Sequence, residues 1–173
     1  GVIPAVIPSS SQAEDCMRWI QRTNVSSPGE RCHHAMAFDS DRNVAVFFGG
    51  EIGETGNEEY FNDTQEYDGV QWKQISILSD TKPSHRSFHT MAYDEVQKRV
   101  ILYGGYTGGK YAHDDTWSYR FDGVQGIWEQ HEAGEESGAA GSKMVYDPVH
   151  KGVLRHAGAP QPFGPPCHYI SAS

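Results

Sequence analysis

Two short leads carry the residue types best suited to chemistry: Arg31-Cys-His-His34 and Arg86-Ser-Phe-His89. An arginine and a histidine three residues apart can bind an anionic ligand through a fixed charge and a second donor. The opposing reading makes all four residues framework hydrogen-bonders, because they recur at the same place in a repeat. That reading is preferred, since a ligand site rarely needs the same side chain in each copy. A third pair, Arg155-His156, breaks an otherwise apolar run and marks an interface, a pocket or a decayed copy. His85 and His89 have the i, i+4 spacing of a zinc-binding helix, but they follow Pro83 at the start of a strand. On an extended chain four residues span about 13 Å, too far to share one ion. His33 and His34 are expected to point to opposite faces for a similar reason. No metal site and no cofactor are expected. His113, His131, His150, His156 and His168 lie in loops or irregular copies that the sequence does not bring together. Glu51, Glu54, Glu58, Glu59 and Asp63 offer oxygens of the kind calcium takes, yet without EF-hand spacing, so a solvated loop is expected. No Gly-x-Ser-x-Gly elbow, P-loop or Cys-x-x-Cys is present.

The elements that must position these residues form a repeat. Arg31 to Asp39 reads as a strand that ends in the turn Asp39-Ser-Asp-Arg42. Asn43 to Phe48 is a continuous apolar run, buried on both faces, that ends in Gly49-Gly50. After the acidic loop come a strand Asp63 to Asp68, a tight Asp68-Gly69 turn and a strand Gln71 to Ile75. Met36 and Met91 are 55 residues apart, as are Gly50 and Gly105, while Trp72 and Trp128 are 56 apart. A third copy, offset by 53, holds Met144, Tyr146-Asp147 and Gly152 to Gly158. In it Ala157 replaces the first glycine, and Ala139 and Ser142 stand where Arg and His would be. A period near 50 with four strands per unit, a Gly-Gly and a later Trp is the signature of a four-stranded propeller blade. Inner strands are sandwiched between neighbouring blades, and the outer Trp covers the seam.

Composition agrees. Glycine numbers 19 and aromatics are 12%, which suits an all-β chain with many turns. The 14 basic against 23 acidic residues give a net charge of -9, which repels nucleic acid and anionic membrane alike. No apolar run approaches the roughly 18 residues of a membrane-spanning helix. The first eight residues lack a basic region and an initiating Met and are not an intact signal peptide. Cys16, Cys32 and Cys167 are too few for a disulfide framework; reduced thiols are expected, which leans the compartment towards cytoplasm. A Cys16–Cys167 bridge between chains is disfavoured, because those positions fall at opposite edges of a blade.

The double glycines at Gly49-Gly50 and Gly104-Gly105, the Tyr67…Trp72 and Tyr119…Trp128 pairs and the two Arg-x-x-His leads resemble kelch repeats of the galactose-oxidase superfamily. The resemblance covers roughly residues 17–173 and implies an all-β, kelch-type β-propeller of four-stranded antiparallel blades. Residues 1–173 then form a single partial propeller. Residues 1–15 are an irregular arm, 16–24 the outer strand of a split blade, 31–76 and 86–132 whole blades, and 139–173 three strands of a degraded blade. Met17 to Arg22 takes the outer-strand place because Trp19 lies 53 residues before Trp72. The count is about three blades per chain, too few for a ring. A two-fold homodimer by strand exchange, closing six blades, is therefore expected; the competing expectation is a fragment of a longer propeller.

The copper constellation of galactose oxidases cannot be assigned to residues here. The iron-linked Glu-x-x-x-Asp-x-x-x-His pattern of plant specifier proteins is broken, since Glu59 and Asp63 are followed by Tyr67. The resemblance implies a non-enzymatic binding or scaffold module that recognises protein or peptide with its face loops, Glu51 to Asn62 and Tyr106 to Asp114. The alternatives are a carbohydrate or small-ligand binder at the central channel, with Arg31, His34, Arg86, His89, Arg155 and His156 as candidate binding residues, or an isomerase, hydrolase or oxidase at the channel mouth.

Overall fold

A computed structural model describes residues 27–54, 56–78, 81–109, 112–132, 138–156 and 158. Aspartates set the strand boundaries. Asp39 Oδ1 accepts from the backbone N–H groups of Asp41 and Arg42, both at 3.1 Å. Asp94 does the same for Val96 and Gln97, and Asp147 for Val149 and His150. Each turn closes on a left-handed residue: Asn43, Lys98 and Lys151 have φ of 54°, 55° and 54°. A second set of turns, headed by Asp68 and Asp122, reverses the chain between the outer strands.

Twelve strands result: β1 (Ala35–Asp39), β2 (Val44–Phe48), β3 (Glu51–Ile52), β4 (Glu59–Tyr60), β5 (Thr64–Tyr67), β6 (Trp72–Gln74), β7 (Thr90–Asp94), β8 (Arg99–Tyr103), β9 (Thr116–Phe121), β10 (Gly126–His131), β11 (Lys143–Asp147) and β12 (Gly152–His156). No helix occurs among the described residues. β1-β2-β5-β6 form one antiparallel four-stranded sheet, and β7-β8-β9-β10 form a second. β11 and β12 pair as a two-stranded antiparallel sheet, the third sheet of the stack. The first strands lie side by side, β1 along β7 and β7 along β11, so the sheets stack face to face.

Strand alternation gives each sheet two faces. One face of the first sheet presents Ala37, Val46 and Phe48 to the second sheet. The second answers with Met91, Tyr93, Val100, Leu102, Trp117, Tyr119 and Trp128, all buried. Burying each large apolar side chain stabilises by about 1.5–3 kcal/mol, so this seam is the main core. Trp128 covers it as expected, its ring centroid 5.1 Å from that of Phe48 across the seam. Polar ties reinforce the contact: Tyr119 Oη donates to Glu66 Oε1 at 2.8 Å, and Arg42 binds both oxygens of Glu66.

Two expectations are corrected. The stretch 51–62 is not merely a solvated loop: β3 and β4 pair within it as a short hairpin, and its Glu51 is buried. Cys32 is disulfide-bonded, not a reduced thiol; sequence spacing alone says nothing about which sulfurs meet in the fold. Its partner lies outside the described residues, as do the expected outer strand at 16–24, Cys16 and Cys167 (the pair for which a bridge between chains is disfavoured), and the third strand at 167–173.

Candidate functional site

The first strands β1, β7 and β11 begin on one side of the stacked sheets, the loop face, and the Asp-headed turns β1–β2, β7–β8 and β11–β12 lie on the other. Just before each first strand the backbone takes one left-handed residue: His33, Phe88 and Gly141, with φ of 54°, 56° and 73°. These residues link the sheets edge to edge. The Phe88 N–H donates to the His33 carbonyl at 2.9 Å, and the Gly141 N–H donates to the Phe88 carbonyl at 2.8 Å. His33 and Phe88 stack, centroids 3.7 Å apart and planes 22° from parallel. His33 Nδ1 sits 2.8 Å from Glu51 Oε1, and the other Glu51 oxygen accepts from Ser87 Oγ at 2.7 Å. The carboxylate therefore holds the imidazole of one sheet and the hydroxyl of the next.

Beneath this rim lies a repeated frame. Gly50 N–H donates to the Arg86 carbonyl and Gly105 N–H to the Ala139 carbonyl, both at 2.9 Å. The third copy thus keeps the backbone bond after losing the arginine side chain. Arg86 is 1% exposed and uses all five donors. They go to Gly104 O, Asp115 Oδ1 and Oδ2, Ser84 O and Ser84 Oγ. Arg31 repeats the pattern on Gly49 O and Asp63 Oδ1 at 3.2 and 2.6 Å, and also meets the Pro28 carbonyl. Burial opposes the charge of Asp115, but the hydrogen bonds and charge of Arg86 hold its carboxyl below the usual range.

His89 is enclosed, edge-on to Phe48, with neither ring nitrogen hydrogen-bonded. Burial first, then the Arg86 charge, push its pKa down to about 3, so it is a neutral packing group. His34, at the equivalent place, is exposed and stacks on Phe47 with centroids 4.5 Å apart. Burial of its ring and Arg31 lower its pKa. His85 is exposed while His89 is buried, so the i, i+4 pair occupies two environments.

Arg155 and His156 belong to the third sheet and point opposite ways. Arg155 lies over the Tyr103 ring at 4.4 Å and lines a cavity of about 260 Å³ with Ile101, Thr116, Met144 and Val153. His156 is exposed on the other face. Of the six candidate binding residues, the structure ties Arg31, Arg86 and His89 into the frame, leaves His34 and His156 open, and separates the third-sheet pair from the rest.

Two groups were missed from sequence. One is His33, Glu51, Ser87 and Phe88. The other is Tyr60, whose ring centroid lies 6.4 Å from those of both His85 and Tyr106. Thr107 fixes the neighbouring loop by bonding the His85 carbonyl and His113 Nε2. Burial, then the charges of Glu51 and Glu58, raise the Tyr60 hydroxyl to about 12. Their signal was departure from the repeat: Glu51 stands where the second copy has Tyr106, and Ser87 where the first has Cys32.

The rim is built to hold shape, not to activate a nucleophile. Ser87 is fully buried and donates to a carboxylate, so no imidazole takes its proton. The Cys32 sulfur, His33 Nδ1 and a Glu51 oxygen lie within 4.8 Å of one another, a grouping that resembles a metal cluster. With Cys32 in a disulfide that sulfur is no thiolate, and both Glu51 oxygens are already engaged.

A family model described as the KLHDC2/KLHL20/DRC7 Kelch-repeats domain matches residues 13–150 of the chain. No curated protein gives a match.

Proposed function

The chain belongs to the kelch-repeat family, and from that premise we propose that it is a non-enzymatic recognition module that binds a protein or peptide segment on its loop face. The observation that carries this is the part-exposed aromatic and imidazole surface there. His33 and Phe88 stack at the inner edge, and Tyr60, His85 and Tyr106 group on the loops. Aromatic rings with a polar tip and little conformational freedom are the common anchors of protein recognition. The frame beneath, with Arg86 and His89 buried, keeps them in place. In this reading Arg31, Arg86 and His89 support the surface, while Tyr60, His85, Tyr106, His33 and Phe88 meet the partner.

A displayed random-peptide library panned against the full chain tests it. Enriched peptides should lose at least about tenfold in affinity, about 1.4 kcal/mol, with Tyr60→Ala or Tyr106→Ala. Val124→Ala, at an exposed turn between β9 and β10, should leave binding unchanged. Peptides indifferent to both tyrosine changes, or glycan-array binding with no peptide enriched, would overturn the reading.

A further inference from the structure

The Cys32 sulfur, His33 Nδ1 and a Glu51 oxygen converge because of the backbone beneath them. Cys32 and Glu51 face each other as an antiparallel pair. The Cys32 N–H donates to the Glu51 carbonyl at 2.9 Å and the Glu51 N–H to the Cys32 carbonyl at 3.0 Å, which puts both side chains on one side. The next residue of an extended chain would turn away from that side. His33 instead takes a φ of 54°, and this left-handed step returns its ring. Nδ1 then lies 3.3 Å from Cys32 Sγ and 2.8 Å from Glu51 Oε1. Two neighbours hold the group from behind: Phe88 stacks on the imidazole, and Ser87 Oγ donates to Glu51 Oε2. Outer contacts of this kind orient metal ligands.

The repeat does not ask for these three side chains. Their counterparts in the second copy are Ser87, Phe88 and Tyr106, and in the third copy Ala140 and Gly141 replace Cys32 and His33. The left-handed residue nevertheless persists in every copy, at His33, Phe88 and Gly141. Thiolate, imidazole and carboxylate are the ligand types of zinc, and three protein ligands leave its fourth position open. Ligand atoms around a tetrahedral zinc ion sit about 3.3–3.6 Å apart. The sulfur and the ring nitrogen already have that spacing, and Nδ1 and Oε1 need to part by only about half an ångström. What closes the site is the disulfide on Cys32. Cys32 is half-buried, so a small thiol has access to it.

We infer that reduction of the Cys32 disulfide turns this rim into a zinc site, with Cys32 Sγ, His33 Nδ1 and Glu51 Oε1 as ligands. A dithiol supplies the two electrons: it becomes a disulfide, and the protein gains two thiols. Zinc then binds Cys32 as the thiolate, whose proton goes to solvent. The neutral imidazole carries its own proton on Nε2, and Ser87 keeps its bond to Glu51 Oε2. The inference is independent of the recognition reading, since its readout is a metal and not a peptide.

Cobalt(II) titration of the full chain, followed by the thiolate-to-cobalt charge-transfer band, tests it. The oxidised chain should show no band. Chain reduced with dithiothreitol and desalted without oxygen should show one, and added zinc should abolish it. Cys16→Ser combined with Cys167→Ser leaves Cys32 as the one thiol and should bind cobalt with no reductant. Circular dichroism checks the fold of that variant, and the reduced wild type serves if it does not fold. On either background Cys32→Ser should remove the band, and His33→Ala and Glu51→Gln should each raise the dissociation constant at least about tenfold. A band in the oxidised chain, no band after reduction, or a band indifferent to His33→Ala and Glu51→Gln would overturn the inference.

Discussion

The indole N–H of Trp128 donates to Thr64 Oγ1 across 3.0 Å, from the outer strand of the second sheet into the third strand of the first. Both residues are buried, at 2% and 1% exposed. Thr64→Val leaves the indole without an acceptor inside the seam. The expected loss is about 1–3 kcal/mol, read as a lower midpoint in urea with unchanged slope. The same experiment on Trp72→Phe should show a smaller loss, because Trp72 is only partly buried.

Arg86 supplies five donors to five acceptors, and Asp115 depends on it. Arg86→Ala should cost about 3–5 kcal/mol, because a part-buried carboxylate loses its partner. Arg86→Lys keeps the charge but not the planar fork, so it should recover only part of that loss. Equal stability of the lysine variant and the wild type in urea would contradict this.

His89 sets a pH dependence with a definite sign. Its folded-state pKa falls to about 3 from an ordinary 6.5. Below 6.5 the unfolded chain takes a proton that the folded chain refuses. Stability is therefore complete above 6.5 and declines as pH falls towards 3, by up to about 1.4 kcal/mol per pH unit. His34 and His113, also lowered chiefly by burial, add in the same direction. His89→Ser, which copies Ser142 at the equivalent place, should flatten the slope measured between about pH 6.5 and 4.5. An unchanged slope would remove His89 from this role.

Glycine matters differently at two positions. Gly105 has φ 104°, and a Cβ there would lie 2.8 Å from Ser87 O and 2.9 Å from His89 Cβ. Gly105→Ala should destabilise by more than about 2 kcal/mol, combining strain with overpacking. Gly69 has φ 91° but open space around it, so Gly69→Ala should cost only about 1 kcal/mol. Thermal melts of the two variants would rank them; equal shifts would refute the role of backbone crowding at Gly105.

The sequence by itself determined the strands, the turns and the sheet order of the repeat. These depend on local chemistry: an aspartate that ties its own turn, a glycine pair where the backbone bends, and an alternating apolar run that must be buried. Arg31 and Arg86, 55 residues apart, both bond the glycine pair and an aspartate of their own repeat, so Arg86 was readable as framework before any contact was known, whereas His89, expected as a hydrogen-bonder, packs with neither ring nitrogen bonded. The tertiary structure alone decided the surface and the partnerships. Glu51 meets His33, 18 residues away, and Ser87, 36 residues away, only because adjacent sheets place their edges together. A repeat records what every blade shares, whereas the rim consists of residues at which the copies differ, and such differences acquire meaning only when stacking brings one copy against the next.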